Sequence, residues 1–208
     1  CPRRASSSPA MSPPAPSLAA NCNHGELDNA YCVDGDAMVA KPPADRKQWK
    51  DPSTLVFAYT PVEDPAVYAN AFKPFVSYLS SCTGKKVVYY PVLSNSAEVE
   101  AMRSGRLHVA GFSTGPTAFA VNLAGAIPFA VKGDPKAYES YRMLMLVRAD
   151  SKFHKLTDLK GARVAHTSAS SNSGNLAPRA LFPELGLTPD KDYKVIYSLW
   201  KGKNRCLT

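Results

Sequence analysis

From residue 53 onward the chain alternates between short apolar runs of strand length and longer amphipathic stretches. "TLVFAYT" (54–60) is a continuous apolar, β-branched run, which predicts a strand buried on both faces. "PVEDP" follows, where Asp64 is placed to cap a helix that begins at Pro65. Val67, Ala71, Phe72, Phe75, Val76 and Leu79 share one face of that helix, Pro74 predicts a kink, and Gly84 an end. The alternation then repeats. "KVVYYPV" (86–92) reads as a strand, "SAEVEAMRSG" (96–105) as a short helix, "LHVAGFS" (107–113) as a strand and "TAFAVNLAG" (117–125) as a helix. "AIPFAV" (126–131) predicts a further strand, and "YRMLMLVRAD" (141–150) is the longest strand candidate. "KLTDLKG" (155–161) suggests a short capped helix, "ARVAHTS" (162–168) a strand, "LAPRALFPELG" (176–186) a helix and "YKVIYS" (193–198) a last strand.

Strict alternation, with strands too apolar to leave one face wet, predicts an α/β fold with a parallel or mixed sheet covered by helices on both sides. The pattern divides into a first α/β lobe at 53–141 and a second at 142–198, which holds two strands and their helices and so is expected to be partial. Residues 1–52 carry eight of the eighteen prolines and the run "SSSPAMSPPAPS", and they predict a disordered Pro/Ser-rich leader. Residues 199–208 form a basic, unpatterned tail.

In α/β sheets, ligands sit beyond the carboxyl ends of the strands. Three such junctions are small and hydroxyl-rich: Thr60, Ser113-Thr114-Gly115, and Ser168 to Gly174 within "HTSASSNSGNLAPRALF". The last changes from flexible and polar to helical near Gly174, which suggests an anion seat built from backbone N–H groups, a helix dipole and serine hydroxyls. Enzymatic signatures are weaker. G-x-S-x-G, G-x-x-x-x-G-K-[ST] and G-x-G-x-x-G are absent, and Glu63 and Asp64 are the one acid pair at a strand end, with Asp64 explained as a cap. His108 and His154 read as structural or exposed, while His166 stands beside the serine loop and is the candidate base if the chain were a transferase or hydrolase acting on a phosphorylated small molecule.

The formal charge of +8 is spread along the chain without a Lys/Arg stripe interleaved with aromatics, which argues against nucleic acid and suits attraction of a small anion. Asp28, Asp34 and Asp36 echo a calcium loop but lack its further ligands and are expected to be a solvated turn. The five cysteines have no zinc spacing; Cys22 and Cys32 either close a short loop in an oxidising compartment or stay as thiols. No metal and no cofactor is expected. Cys1 at the start is where a bacterial lipoprotein would be acylated, and Cys22 is the other cysteine open to a lipid.

"LVFAYTPVEDPAVYANAFKPFVSYLSSCTGKKVVYYPV", "VEAMRSGRLHVAGFSTGPTAFAV", "SYRMLMLVRADSKFHKLTDLKGARVAH" and "SSNSGNLAPRALFPELGLTPDKDYKVIYS" together resemble the phosphate, phosphite and phosphonate-binding subunits of bacterial ABC importers over residues 53–198. The resemblance implies a periplasmic binding protein-like fold: two lobes with mixed sheets covered by helices, the second lobe incomplete here. It implies no enzyme but a solute-binding component in the periplasm or cell envelope, which closes over an oxyanion and delivers it to the permease and ATPase subunits. Membrane contact is then limited to a lipid anchor. Ser171, Asn172, Ser173 and Gly174 match a Ser-Thr-Ser-Gly turn that holds phosphonyl oxygens, with Asn172 departing from the threonine. Thr60, Ser113 and Thr114 are expected to meet the anion from the first lobe and Tyr141 to pack at the hinge; Asn95 and Phe112 stand where some relatives carry tyrosines. Beyond residue 198 the chain departs from the pattern, as a truncated or frame-shifted product would.

Overall fold

The computed structural model describes residues 22–61, 65–134, 136 and 141–198. β1 (Thr54–Tyr59) is the centre of a three-stranded parallel sheet, flanked by β2 (Lys86–Tyr89) on one side and β3 (Val109–Gly111) on the other. Helices α1 (Pro65–Ala71) and α2 (Lys73–Thr83) connect β1 to β2, α3 (Asn95–Arg103) connects β2 to β3, and α4 (Thr114–Ala124) follows β3. A second parallel pair joins β4 (Arg163–His166) to β5 (Lys194–Tyr197), with α5 (Ala177–Leu181) between them. Every pairing between these strands is parallel, because each is separated from its partner by a helical crossover.

The alternation of side chains along β1 feeds two different cores. Phe57 and Tyr59 point to the α1–α2 side, where Phe57 packs against Phe72 at 5.2 Å and Phe75 at 4.9 Å between ring centroids. Val56 and Ala58 face the other way, into a cluster with Val92, Ala101, Met102 and Leu107 below α3. Phe72 separates the two helices as the predicted kink requires, with Pro74 in the first turn of α2. The second sheet has its own core of Leu159, Val164, Phe182, Leu187 and Tyr193.

Three expectations are corrected. Residues 22–52 are not a structureless leader: a Cys22–Cys32 disulfide closes a loop, and Leu27 within it and Ala40 after it are buried with Val121 of α4. The Asp28 amide donates to the Asn122 carbonyl at 2.7 Å, and the Asp28 carboxylate pairs with Arg103 of α3 at 3.7 Å. The cross-link and a few apolar side chains hold the loop despite its turn-rich composition. Residues 126–131 and 141–148 form no strand, and Phe129, Val131, Leu144 and Leu146 are exposed. A strand exists through bonds to a neighbour, and among the described residues no strand runs beside these segments, so β-propensity alone does not order them. β2 ends at Tyr89, before Pro91, which has no N–H to give to a ladder. Asp64 and its cap, the Pro/Ser-rich run to residue 21 and the tail 199–208 lie outside the described residues.

Candidate functional site

The site is built where the carboxyl end of the first sheet meets the loop after β4. Thr60 follows β1, and its amide donates to the Gly111 carbonyl at 2.9 Å. Its hydroxyl oxygen accepts the Ser113 amide at 3.0 Å, which sets Ser113 as the N-cap of α4. The same hydroxyl donates to Glu98 Oε2 at 3.4 Å. Thr60 is buried, so it braces the start of α4 from behind.

On the opposite side, His166 ends β4 and the chain turns through Thr167–Ser171 into a wide helical turn, Asn172–Leu176, that runs on into α5. Ser171 is its N-cap: Ser171 Oγ accepts the Gly174 amide at 3.2 Å, and the Ser171 carbonyl accepts the Leu176 amide at 2.9 Å. A β-carbon on Gly174 would collide with the Thr167 side chain, so glycine is what lets the turn close on the strand end. Asn172 and Ser173 begin the turn, where amides have no carbonyl of their own helix to reach.

The two halves touch. A β-carbon built on Gly115, in the first turn of α4, would stand 2.5 Å from the Ser170 carbonyl oxygen and 3.0 Å from the Asn172 amide nitrogen. Tyr141 stands beside both: the polar side chains of Asn172, Ser173 and Thr114 near its phenol, Asn172 first, hold it below its ordinary range against the opposing effect of burial. Hydroxyl and amide side chains from both halves thus gather around Tyr141, which is itself exposed.

The structure therefore brings Thr114, Tyr141, Asn172 and Ser173 near one another, with Ser113, Ser171 and Gly174 next to them in the chain and Thr60 behind. Asn95, the first residue of α3, is not among these bonds; its Oδ1 is buried without a partner.

His166 does not serve as a base here. It is buried, with Nδ1 2.8 Å from Asn175 Oδ1 and Nε2 2.9 Å from the Tyr193 hydroxyl. An amide oxygen can only accept, so Nδ1 carries the proton and Nε2 accepts from Tyr193; both nitrogens are committed. Sequence reasoning missed Asn175, which also gives Nδ2 to the Ala169 carbonyl at 2.7 Å and so ties the loop to the strand. It also missed Glu98. The one available signal was spacing: Glu98 shares a helix face with Asn95 and Met102, so an acid was being carried toward the core. His108 is structural as expected, its Nδ1 accepting the Val56 amide at 3.0 Å.

The family profile described as "ABC transporter, phosphonate, periplasmic substrate-binding protein" matches residues 57–204. The chain belongs to this family. The match runs to residue 204, past the 53–198 span over which the sequence resemblance is read. A curated relative, the phosphate-import protein PhnD of Mycolicibacterium smegmatis, is 31% identical over 141 residues, which is 65% of this chain and 43% of the relative. Among solved structures, the binding protein component of an ABC phosphonate transporter from Pseudomonas aeruginosa is 18% identical with a TM-score of 0.49, covering 70% of this chain and 50% of that one. A Xanthomonas citri protein solved with bound chloride is 21% identical with a TM-score of 0.47, covering 71% and 58%. The chain thus spans about half the length of these relatives.

Proposed function

We propose that this chain is the solute-binding component of an ABC importer and holds an oxyanion of the phosphate, phosphite or phosphonate class between two lobes, 53–141 and 142–198. The observation that carries the reading is the close backbone approach of Gly115 to Ser170 and Asn172, which brings the two hydroxyl-rich loops together beside Thr114, Ser173 and Tyr141. An oxyanion oxygen asks for the same surroundings: several neutral donors, the positive ends of helices, and a backbone close enough to reach it. In this reading Tyr141 yields its donors to the anion and covers it. Ser171 and Gly174 shape the turn, Ser113 and Thr60 fix α4, and Asn95 shapes selectivity from the edge.

The family description supports delivery to permease and ATPase subunits and residence in the periplasm or cell envelope. The disulfide fits an oxidising compartment and leaves Cys22 without a free thiol. No helix among the described residues is long and apolar enough to cross a membrane. Turnover of a phosphorylated metabolite finds no base in His166, and the relatives are named as transport proteins.

Titration calorimetry with phosphate, phosphite and methylphosphonate tests the assignment. The Ser171→Ala/Ser173→Ala protein is expected to lose about tenfold or more in affinity; an unchanged affinity would refute it.

A further inference from the structure

Glu98 has no role in the site as described, yet it is fully buried, at 0% exposure. It lies in the first turn of α3, with Oε2 accepting the Thr60 hydroxyl and Oε1 enclosed without a partner. Asn95 Oδ1, one turn earlier on the same face, is also enclosed and unpartnered, so two acceptors lack a donor. No ion pair among the described residues includes Glu98. The titratable side chain that faces it is Tyr89 of β2, whose own phenol is raised by burial and then by Glu98.

An isolated carboxylate in such a place is strongly disfavoured, and the neutral acid is the form the surroundings permit. From Glu98 two hydrogen bonds lead to the Ser113 amide, and Thr114, which stands near Tyr141, is the next residue.

We propose that Glu98 is a positioning residue for the oxyanion site: as a neutral acid it holds Thr60, and through it Ser113 and the start of α4, while its ionisation puts a like charge behind the bound anion. Proton binding at Glu98 and oxyanion binding then reinforce each other. Burial pushes the Glu98 carboxyl up to about 8, with the Thr60 bond opposing, so the coupling falls in a measurable range. Below that pH the acid is neutral and binding is tight; above it the carboxylate forms and binding weakens. By reciprocity, binding near that pH takes up a proton. This inference rests on the anion-site reading above.

The test is calorimetry with phosphate and methylphosphonate from about pH 6.5 to 9.5 on the wild type, Glu98→Gln and Glu98→Ala, in buffers of different ionisation enthalpy. Comparison with Glu98→Gln cancels the ligand's own titration. The expected result is an affinity loss of about tenfold across this range in the wild type beyond that of Glu98→Gln, together with proton uptake that Glu98→Gln lacks. Glu98→Gln is expected to bind as the wild type does near neutral pH, whereas Glu98→Ala binds more weakly throughout. Coincident wild-type and Glu98→Gln profiles, with binding intact, would overturn the coupling alone. A wild type that binds neither anion at any pH would overturn the anion-site reading and the coupling with it.

Discussion

Gly115 and Asn172 are in backbone contact across the site: a β-carbon on Gly115 would stand 3.0 Å from the Asn172 nitrogen and 2.5 Å from the neighbouring Ser170 carbonyl oxygen. The second distance is too short for any real β-carbon, and its partner is backbone that must shift as a unit. Gly115 lies within α4, where alanine is the better helix former by about 1 kcal/mol. Gly115→Ala should therefore leave α4 intact, part the two loops and cut oxyanion affinity by about tenfold or more. Calorimetry beside a thermal melt checks this; full affinity in a well-folded variant would show that the contact is incidental.

Tyr141 is held below the ordinary phenol range, while Tyr31, Tyr78, Tyr89 and Tyr193 are all raised. Titrating tyrosinate absorbance should reveal one early phenol that disappears in Tyr141→Phe. A ligand that takes the same donors should return it to later titration. An unchanged early phase in Tyr141→Phe would assign the effect elsewhere.

Glu98 also makes stability depend on pH. Its pKa is about 8 folded against an ordinary 4.5, so between those values the folded chain holds a proton that the unfolded chain has released. Its contribution is fully present below the unfolded value and is lost as pH rises through about 8. Glu98→Gln should flatten this fall and exceed the wild type near pH 8 by about 2–4 kcal/mol. Denaturant melts from pH 5 to 9 read the difference, and parallel curves would rule out a buried neutral acid.

His166 supports the loop. Removing the ring leaves the Tyr193 hydroxyl without its partner in a buried place, whereas Asn175 Oδ1 keeps Arg179 Nε at 3.1 Å and the Tyr197 hydroxyl at 3.3 Å. His166→Ala should cost about 2–3 kcal/mol of stability and abolish no turnover. Phosphatase or transferase activity in the wild type that vanishes in this variant would reverse the conclusion.

The Cys22–Cys32 loop braces the back of α4 through Leu27 and the Asp28–Asn122 bond. Closing ten residues of sequence separation stabilises by about 2.5–3 kcal/mol on chain-entropy grounds. Reduction, or Cys32→Ser, should lower the melting temperature accordingly. Retention of the full melting temperature after reduction would show that the loop contributes no more than its surface.

Local chemistry was enough to read β1 with its flanking helices, the break before Pro74, the strand–helix alternation and the hydroxyl-rich junctions, because each rests on spacing within a few residues. The Ser171 turn was legible for the same reason: small residues ahead of an apolar helix have few alternatives. Tertiary structure decided the rest. "AIPFAV" and "YRMLMLV" have the composition of strands, yet a ladder needs a neighbour, and pairing is not written in one segment. Whether Cys22 met Cys32, whether His166 kept a nitrogen free, and whether an acid at position 98 faced water or the core all depended on what packed alongside. That Tyr141 would reach both Thr114 and Asn172 depended on two distant loops arriving at one point, a relation between segments rather than a property of either.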